Sequence, residues 1–155
     1  PIALLQAAPL DLVILALGTN DVFAEADRKP EDTVNAMRSL VKVTKDLPTA
    51  QGSSVPNTSP PEVMIVAPPN CLPLSSVVGE GFPELDKLSR WLPELAKLYG
   101  ELAIEQNTYF ADAAELCEPD PEDGLHLDVE NTRKLGGGIA KVLALQGFAR
   151  LIKNR

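Results

Sequence analysis

Short apolar runs that do not alternate, each followed by a long stretch of helical period, limit this chain to one kind of architecture. Residues 12–17 (LVILAL), 63–67 (VMIVA) and, more weakly, 108–111 (TYFA) are apolar at successive positions. A strand sends successive side chains to opposite faces, so such runs suit strands covered on both faces. Between and after them the period changes. Residues 31–46 place Val34, Met37, Leu40, Val41 and Thr44 at helical spacing, with Pro30 set to open the first turn. A second stretch, from near Pro83, puts Leu85, Leu88, Leu92, Leu95, Leu98, Tyr99 and Leu102 on one stripe. Pro93 interrupts that stripe and predicts either a kink or two helices. The last stretch has Asp128 as its N-cap and turns Leu135, Ile139, Val142 and Leu143 inward. Strand and helix in this alternation predict an α/β fold of three layers around a mostly parallel sheet. Gly136-Gly137-Gly138 inside the last helix costs about 1 kcal/mol per glycine relative to alanine. A close helix-to-sheet approach is the expected reason, since a phosphate loop would need them at a helix start after a strand.

Composition narrows the partners. At 155 residues and 45% apolar content, the chain has the size of one domain whose core folds without staples. Its 14 basic against 22 acidic residues leave a net charge of −8. Such a surface repels phosphate backbones and anionic lipid, so neither nucleic acid nor membrane is expected, and a small neutral molecule suits it better. Cys71 and Cys117 are too few for a disulfide framework and have no close neighbour at metal-ligand spacing. They read as ordinary buried thiols, and no metal or cofactor is implied. No signal peptide is visible and no apolar run reaches the roughly 18 residues of a membrane span, so a soluble chain is expected. The sequence opens at Pro1, and Ile2-Ala3-Leu4-Leu5 reads like the last turns of an apolar helix, so residues upstream of it are expected.

In an open parallel sheet, ligands bind beyond the carboxyl ends of the strands. The segments leaving those ends are residues 18–29, 68–82 and 112–127. Residues 48–61 carry four prolines and no periodicity and read as an exposed, mobile loop. That loop runs from a helix back into a strand, at the opposite edge, so Ser53, Ser54 and Ser59 are poor nucleophile candidates.

Two of the favoured segments hold the residues that carry chemistry. Gly18-Thr19-Asn20-Asp21 follows the first strand, and Asp123-Gly124-Leu125-His126-Leu127 precedes the last helix; His126 is the only histidine. An imidazole base, a carboxylate that orients it and a donor for a tetrahedral oxyanion are the parts of a serine hydrolase. Asn20 by itself would also serve as an Asx-turn former, and a sharp turn after the strand needs Gly18 on either reading. Joined at this separation, the two blocks resemble the third and fifth sequence blocks of the SGNH (GDSL-type) hydrolase family, and within it the arylesterase and acyltransferase branch. The resemblance covers nearly the whole chain. It implies a flavodoxin-like three-layer fold and, without a cofactor, hydrolysis or acyl transfer on small carboxylic esters. It also implies that Asn20 is the oxyanion-hole amide, His126 the general base and Asp123 the carboxylate behind it, with Gly18 and Asp21 in support.

The family's order begins with a glycine-aspartate-serine block and a lone glycine block, and neither is present here. Both would lie upstream of Pro1. Residues 1–155 are therefore expected to form the C-terminal portion of one such domain, with the nucleophile on a separate segment or a second chain. Of the serines in view, Ser39, Ser75, Ser76 and Ser89 follow no strand-to-helix elbow. Cys71 sits in a crevice loop, but that loop is expected to shape the acyl pocket with Leu72, Pro73 and Leu74. Deleting the upstream segment would leave residues 12–17 with an unpaired apolar inner edge, which a strand of that segment would cover. A homo-oligomer, whose neighbouring subunits would add to the pocket, is left open. The alternative function is a non-catalytic remnant, or a small-molecule-binding α/β module of the same fold.

Overall fold

Three parallel strands, β1 (Leu12–Ala16), β2 (Glu62–Ala67) and β3 (Tyr109–Asp112), lie side by side in the order β1-β2-β3. They belong to a computed structural model that describes residues 4, 10–24, 27–46 and 60–148. The register sets Val13 opposite Val63 and Ala16 opposite Val66, then Met64 opposite Tyr109 and Ala67 opposite Asp112. Among the described residues the helices that accompany the sheet are α1 (Asp21–Ala24), α2 (Pro30–Lys45), α3 (Leu85–Gln106) and α4 (Val129–Leu145). Val63, Ile65 and Ala67 face a core shared with α2 and α3, while Met64 and Val66 face a smaller one that α4 partly covers. The molecule is thus a three-layer α/β fold with a parallel sheet.

The central strand needs its unbroken apolar run, because every residue from Val63 to Ala67 is buried. β1 departs from that expectation. Val13 and Leu15 turn toward the α2–α3 core, but Ile14 on the other face is 43% exposed. Among the described residues no strand pairs with the outer edge of β1. The strand bounds also move, since Leu17 falls outside β1 and Thr108 outside β3, which continues to Asp112.

α2 buries Val34, Met37, Val41 and Thr44 as its period predicts, whereas Leu40 lies exposed and Thr33 takes a buried place. Pro93 neither splits nor ends α3, which is one helix. Pro93 sits on the exposed face, and Trp91, Leu92, Leu95 and Ala96 around it are packed into the core. That packing holds the backbone through the missing N–H. α4 is capped by Asp128, whose Oδ1 accepts from the Asn131 N–H at 2.6 Å. The three glycines do not share one reason. A Cβ on Gly138 would stand 2.8 Å from Leu116 Cδ2, a side chain beyond β3, while Gly136 and Gly137 face open space. The close approach is therefore to Leu116, at one glycine only. Residues 48–59 of the proline-rich stretch, with Ser53, Ser54 and Ser59, lie outside the described residues, as does Pro1.

Candidate active site

The chain leaves β1 through Gly18, at φ +129°, where a Cβ would stand 2.9 Å from Leu95 Cδ2 and 3.0 Å from the Tyr99 hydroxyl. Only glycine meets both the angle and the space. Thr19 and Asn20 then turn the chain into α1, with the Asp21 N–H donating to the Gly18 carbonyl and the Phe23 N–H to the Asn20 carbonyl, both at 3.1 Å. Among the described residues the Asn20 side chain makes no hydrogen bond, so its amide is not spent on an Asx turn. Asp21 turns from the crevice to Arg28, 3.2 Å away.

Asp123 divides its carboxylate. Oδ1 accepts from the N–H groups of Leu125 and His126, both at 2.9 Å, and Oδ2 lies 2.6 Å from His126 Nδ1. Gly124, at φ +72°, makes the turn between them. The Leu125 N–H is the first cause, and the His126 imidazole and N–H further ones, that hold the Asp123 carboxyl below its ordinary range. An ionised carboxylate at 2.6 Å from Nδ1 fixes the proton there and leaves Nε2 as the basic nitrogen. The imidazole is open to solvent, 69% exposed, and meets the Phe82 ring edge-on with centroids 6.2 Å apart.

The loop that carries the dyad is held by its neighbour. From the segment after β2, Leu72 donates to the Gly124 carbonyl at 2.8 Å, Val78 to Pro121 at 2.9 Å and Gly79 to Glu122 at 2.9 Å. A Cβ on Gly79 would stand 2.6 Å from the Glu122 carbonyl oxygen. Within the Leu72-Pro73-Leu74 stretch, Leu72 packs on Gly124, and the Leu74 N–H donates to Asp86 Oδ1 at 3.0 Å.

Asn20 and His126 line one crevice of about 380 Å³ at the carboxyl ends of β1 and β2, with Ala16, Thr19, Pro68 and Leu125 among its walls. For Thr19 and Pro68 the sequence carries no signal beyond their place in the loops that leave β1 and β2. Gly18 and Asp21 line instead an adjoining cavity of about 400 Å³ beside β1 and α2, which Asn20 also borders. Among the described residues no serine or cysteine lines the first crevice. Ser39 and Ser89 bond back to helix carbonyls, those of Asn35 at 3.0 Å and Asp86 at 3.2 Å. Ser75 and Ser76 form an exposed turn. The Cys71 thiol is buried against the Leu85 carbonyl, and burial pushes its pKa up, away from a nucleophilic thiolate. Cys117 is buried in the other core, and both thiols are free.

The sequence matches the GDSL-like Lipase/Acylhydrolase family over residues 1–131. No curated protein matches it. Among solved structures it is similar to the native aryl esterase of M. smegmatis, with 32% identity and a TM-score of 0.78 over 93% of this chain and 65% of that one. It is likewise similar to Est24, a carbohydrate acetylesterase from Sinorhizobium meliloti, with 32% identity and a TM-score of 0.76 over 94% of this chain and 66% of that one. The chain thus spans about two thirds of the length of either structure.

Proposed function

The chain belongs to the GDSL-like lipase/acylhydrolase family, and on that premise we propose that it supplies the base and oxyanion donor of a serine ester hydrolase or acyltransferase acting on small carboxylic esters. The serine comes from a Gly-Asp-Ser segment outside these residues, on the same polypeptide or on a second one. One observation carries the reading: the imidazole held at 2.6 Å by Asp123 borders the same crevice as Asn20. The similarity to an aryl esterase and a carbohydrate acetylesterase supports a small acyl group.

In this mechanism His126 Nε2 takes the serine hydroxyl proton as Oγ attacks the acyl carbon. The carbonyl oxygen becomes an anion, and the Asn20 amide donates to it, an interaction worth about 3 kcal/mol of transition-state stabilisation. Nε2 then returns the proton to the departing alkoxide, leaving the acyl-serine. Water or an alcohol repeats the sequence in reverse roles. Asp123 stays ionised throughout and stabilises the imidazolium.

The test is ester hydrolysis by protein that includes the Gly-Asp-Ser segment, followed with a short p-nitrophenyl ester. His126→Ala should lower kcat by about 10³-fold or more with the fold intact. Retention of more than a tenth of the activity would remove His126 from the mechanism. An unaltered parent protein with no hydrolysis, yet with ester bound in the crevice, would favour a binding module.

A further inference from the structure

An oxyanion donor works only if it is already in place when charge develops, because reorganisation at that moment forfeits its stabilisation. Asn20 cannot hold itself there. Its side chain has no hydrogen bond among the described residues, and the turn that carries it leads into α1, which is only 4 residues long. Whatever positions Asn20 must act on the backbone to either side of it.

Two ties do so. Before Asn20, the hydroxyl of Tyr99 on α3 donates to the Leu17 carbonyl at 3.2 Å, one residue past the last paired residue of β1. Tyr99 is 1% exposed, and Gly18 passes so close to its hydroxyl that a Cβ would lie 3.0 Å away. After Asn20, Asp21 Oδ1 meets Arg28 Nη2 at 3.2 Å, and Arg28 Nε donates to Thr33 Oγ1 at 3.2 Å. Thr33 is a buried residue of α2, and the Arg28 side chain is only 19% exposed. The loop is thereby fastened to α3 on one side and to α2 on the other. Those two helices are joined by Arg38 and Glu105 through a two-pronged contact of 3.2 and 3.1 Å. Burial, and after it the charge of Asp21, pushes the Tyr99 pKa well above its ordinary value, so the hydroxyl remains a donor.

Resting on the functional reading above, we infer that Tyr99 and Arg28 are positioning residues for Asn20, clamping the two ends of its loop so that the amide is preorganised toward the oxyanion. Neither borders the crevice that Asn20 shares with His126; Tyr99 lines only the adjoining cavity beside β1 and α2, so KM is the readout that tells positioning from substrate contact. The effect of each should pass through Asn20 alone.

A double-mutant cycle separates this from a merely structural role. In the active protein, nucleophile segment included, Tyr99→Phe keeps the ring in the core and removes one oxygen. It should lower kcat on a short p-nitrophenyl ester about 10- to 100-fold, with KM changed by no more than about twofold. In an Asn20→Ala background the same substitution should cost no more than about twofold, because the group it positions is gone. Arg28→Lys, which keeps the charge but not the fork that reaches both Asp21 and Thr33, should show the same pattern from the other end. The same factor lost in both backgrounds, no loss at all, or a change confined to KM would overturn the clamp. If Asn20→Ala alone leaves kcat untouched, the oxyanion reading falls, and the clamp with it.

Discussion

Asp123 is where one side chain serves fold and chemistry together. Its Oδ1 holds the turn through two N–H groups while Oδ2 holds the imidazole. Asp123→Asn keeps an acceptor for only one of these tasks, and an amide NH₂ facing Nδ1 would favour the wrong tautomer. In the complete protein it should lower kcat by about 10³- to 10⁴-fold and forfeit the charge-assisted part of the two turn hydrogen bonds, read by steady-state kinetics beside a melting curve. Acid should act on the same group. The folded pKa of Asp123 lies below its unfolded value, so its stabilisation of the turn is complete above the unfolded value and is lost as pH falls through the folded one. Amide protection at Leu125 and His126 should therefore persist at neutral pH and fall below the usual carboxylate range. In Asp123→Asn that acid transition should vanish. A turn equally protected at all pH values would show that the carboxylate does not hold it.

Among elements, α4 and the segment after β2 offer contrasting glycines. Gly136→Ala meets open space and removes a helix-interior glycine, so it should stabilise the protein by about 0.5–1 kcal/mol. Gly138→Ala brings the same gain in helix propensity but sets a Cβ at 2.8 Å from Leu116 Cδ2 and 3.1 Å from its Cβ. The second contact cannot be relieved by rotating the side-chain end, and the gain should be cancelled or reversed. Equal thermal shifts for the two would refute the packing argument. Gly79 is the sharper case, because a Cβ there would stand 2.6 Å from a backbone oxygen of the dyad's own loop. Gly79→Ala should lose about 1–3 kcal/mol of stability and also lower kcat of the complete protein, since the Asp123 turn must move to make room.

At the scale of the whole molecule, the two sides of the sheet are finished differently. On β3 the Gln146 side chain imitates a neighbouring strand, its Oε1 accepting from the Phe110 N–H at 3.2 Å and its Nε2 donating to the Phe110 carbonyl at 2.8 Å. On β1 no described strand pairs with the outer edge, and Ile14, in register with Met64 on the α4 side of the sheet, lies open beyond the part that α4 covers. If a segment carrying the nucleophile docks there, Ile14→Glu should leave the melting temperature of the 155-residue chain within a few degrees. It should also weaken association with a Gly-Asp-Ser segment supplied separately, measured by calorimetry or co-purification. A large loss of stability in the lone chain would mean that its own residues already bury Ile14. Unchanged association would place the docking surface elsewhere.

Sequence alone determined the elements and the dyad, because both depend on neighbours in the chain. A period of two or of 3.6 is a local property, and so is a carboxylate that reaches an imidazole three residues on across one glycine turn. The strand ends, with their favoured loops, also placed Asn20 beside that dyad. Tertiary structure decided the rest. Whether Pro93 would break α3, whether Leu40 or Thr33 would be buried and which face of β1 would stay open all depended on what packed against them. So did Thr19 and Pro68 as crevice walls, the Leu72–Gly79 segment as the brace of the Asp123 turn, and Tyr99 as the donor to Leu17. Each of these joins residues whose separation is set by how helices lie on the sheet, and that distance is written in the sum of many weak packing contacts, not in any local period of the chain.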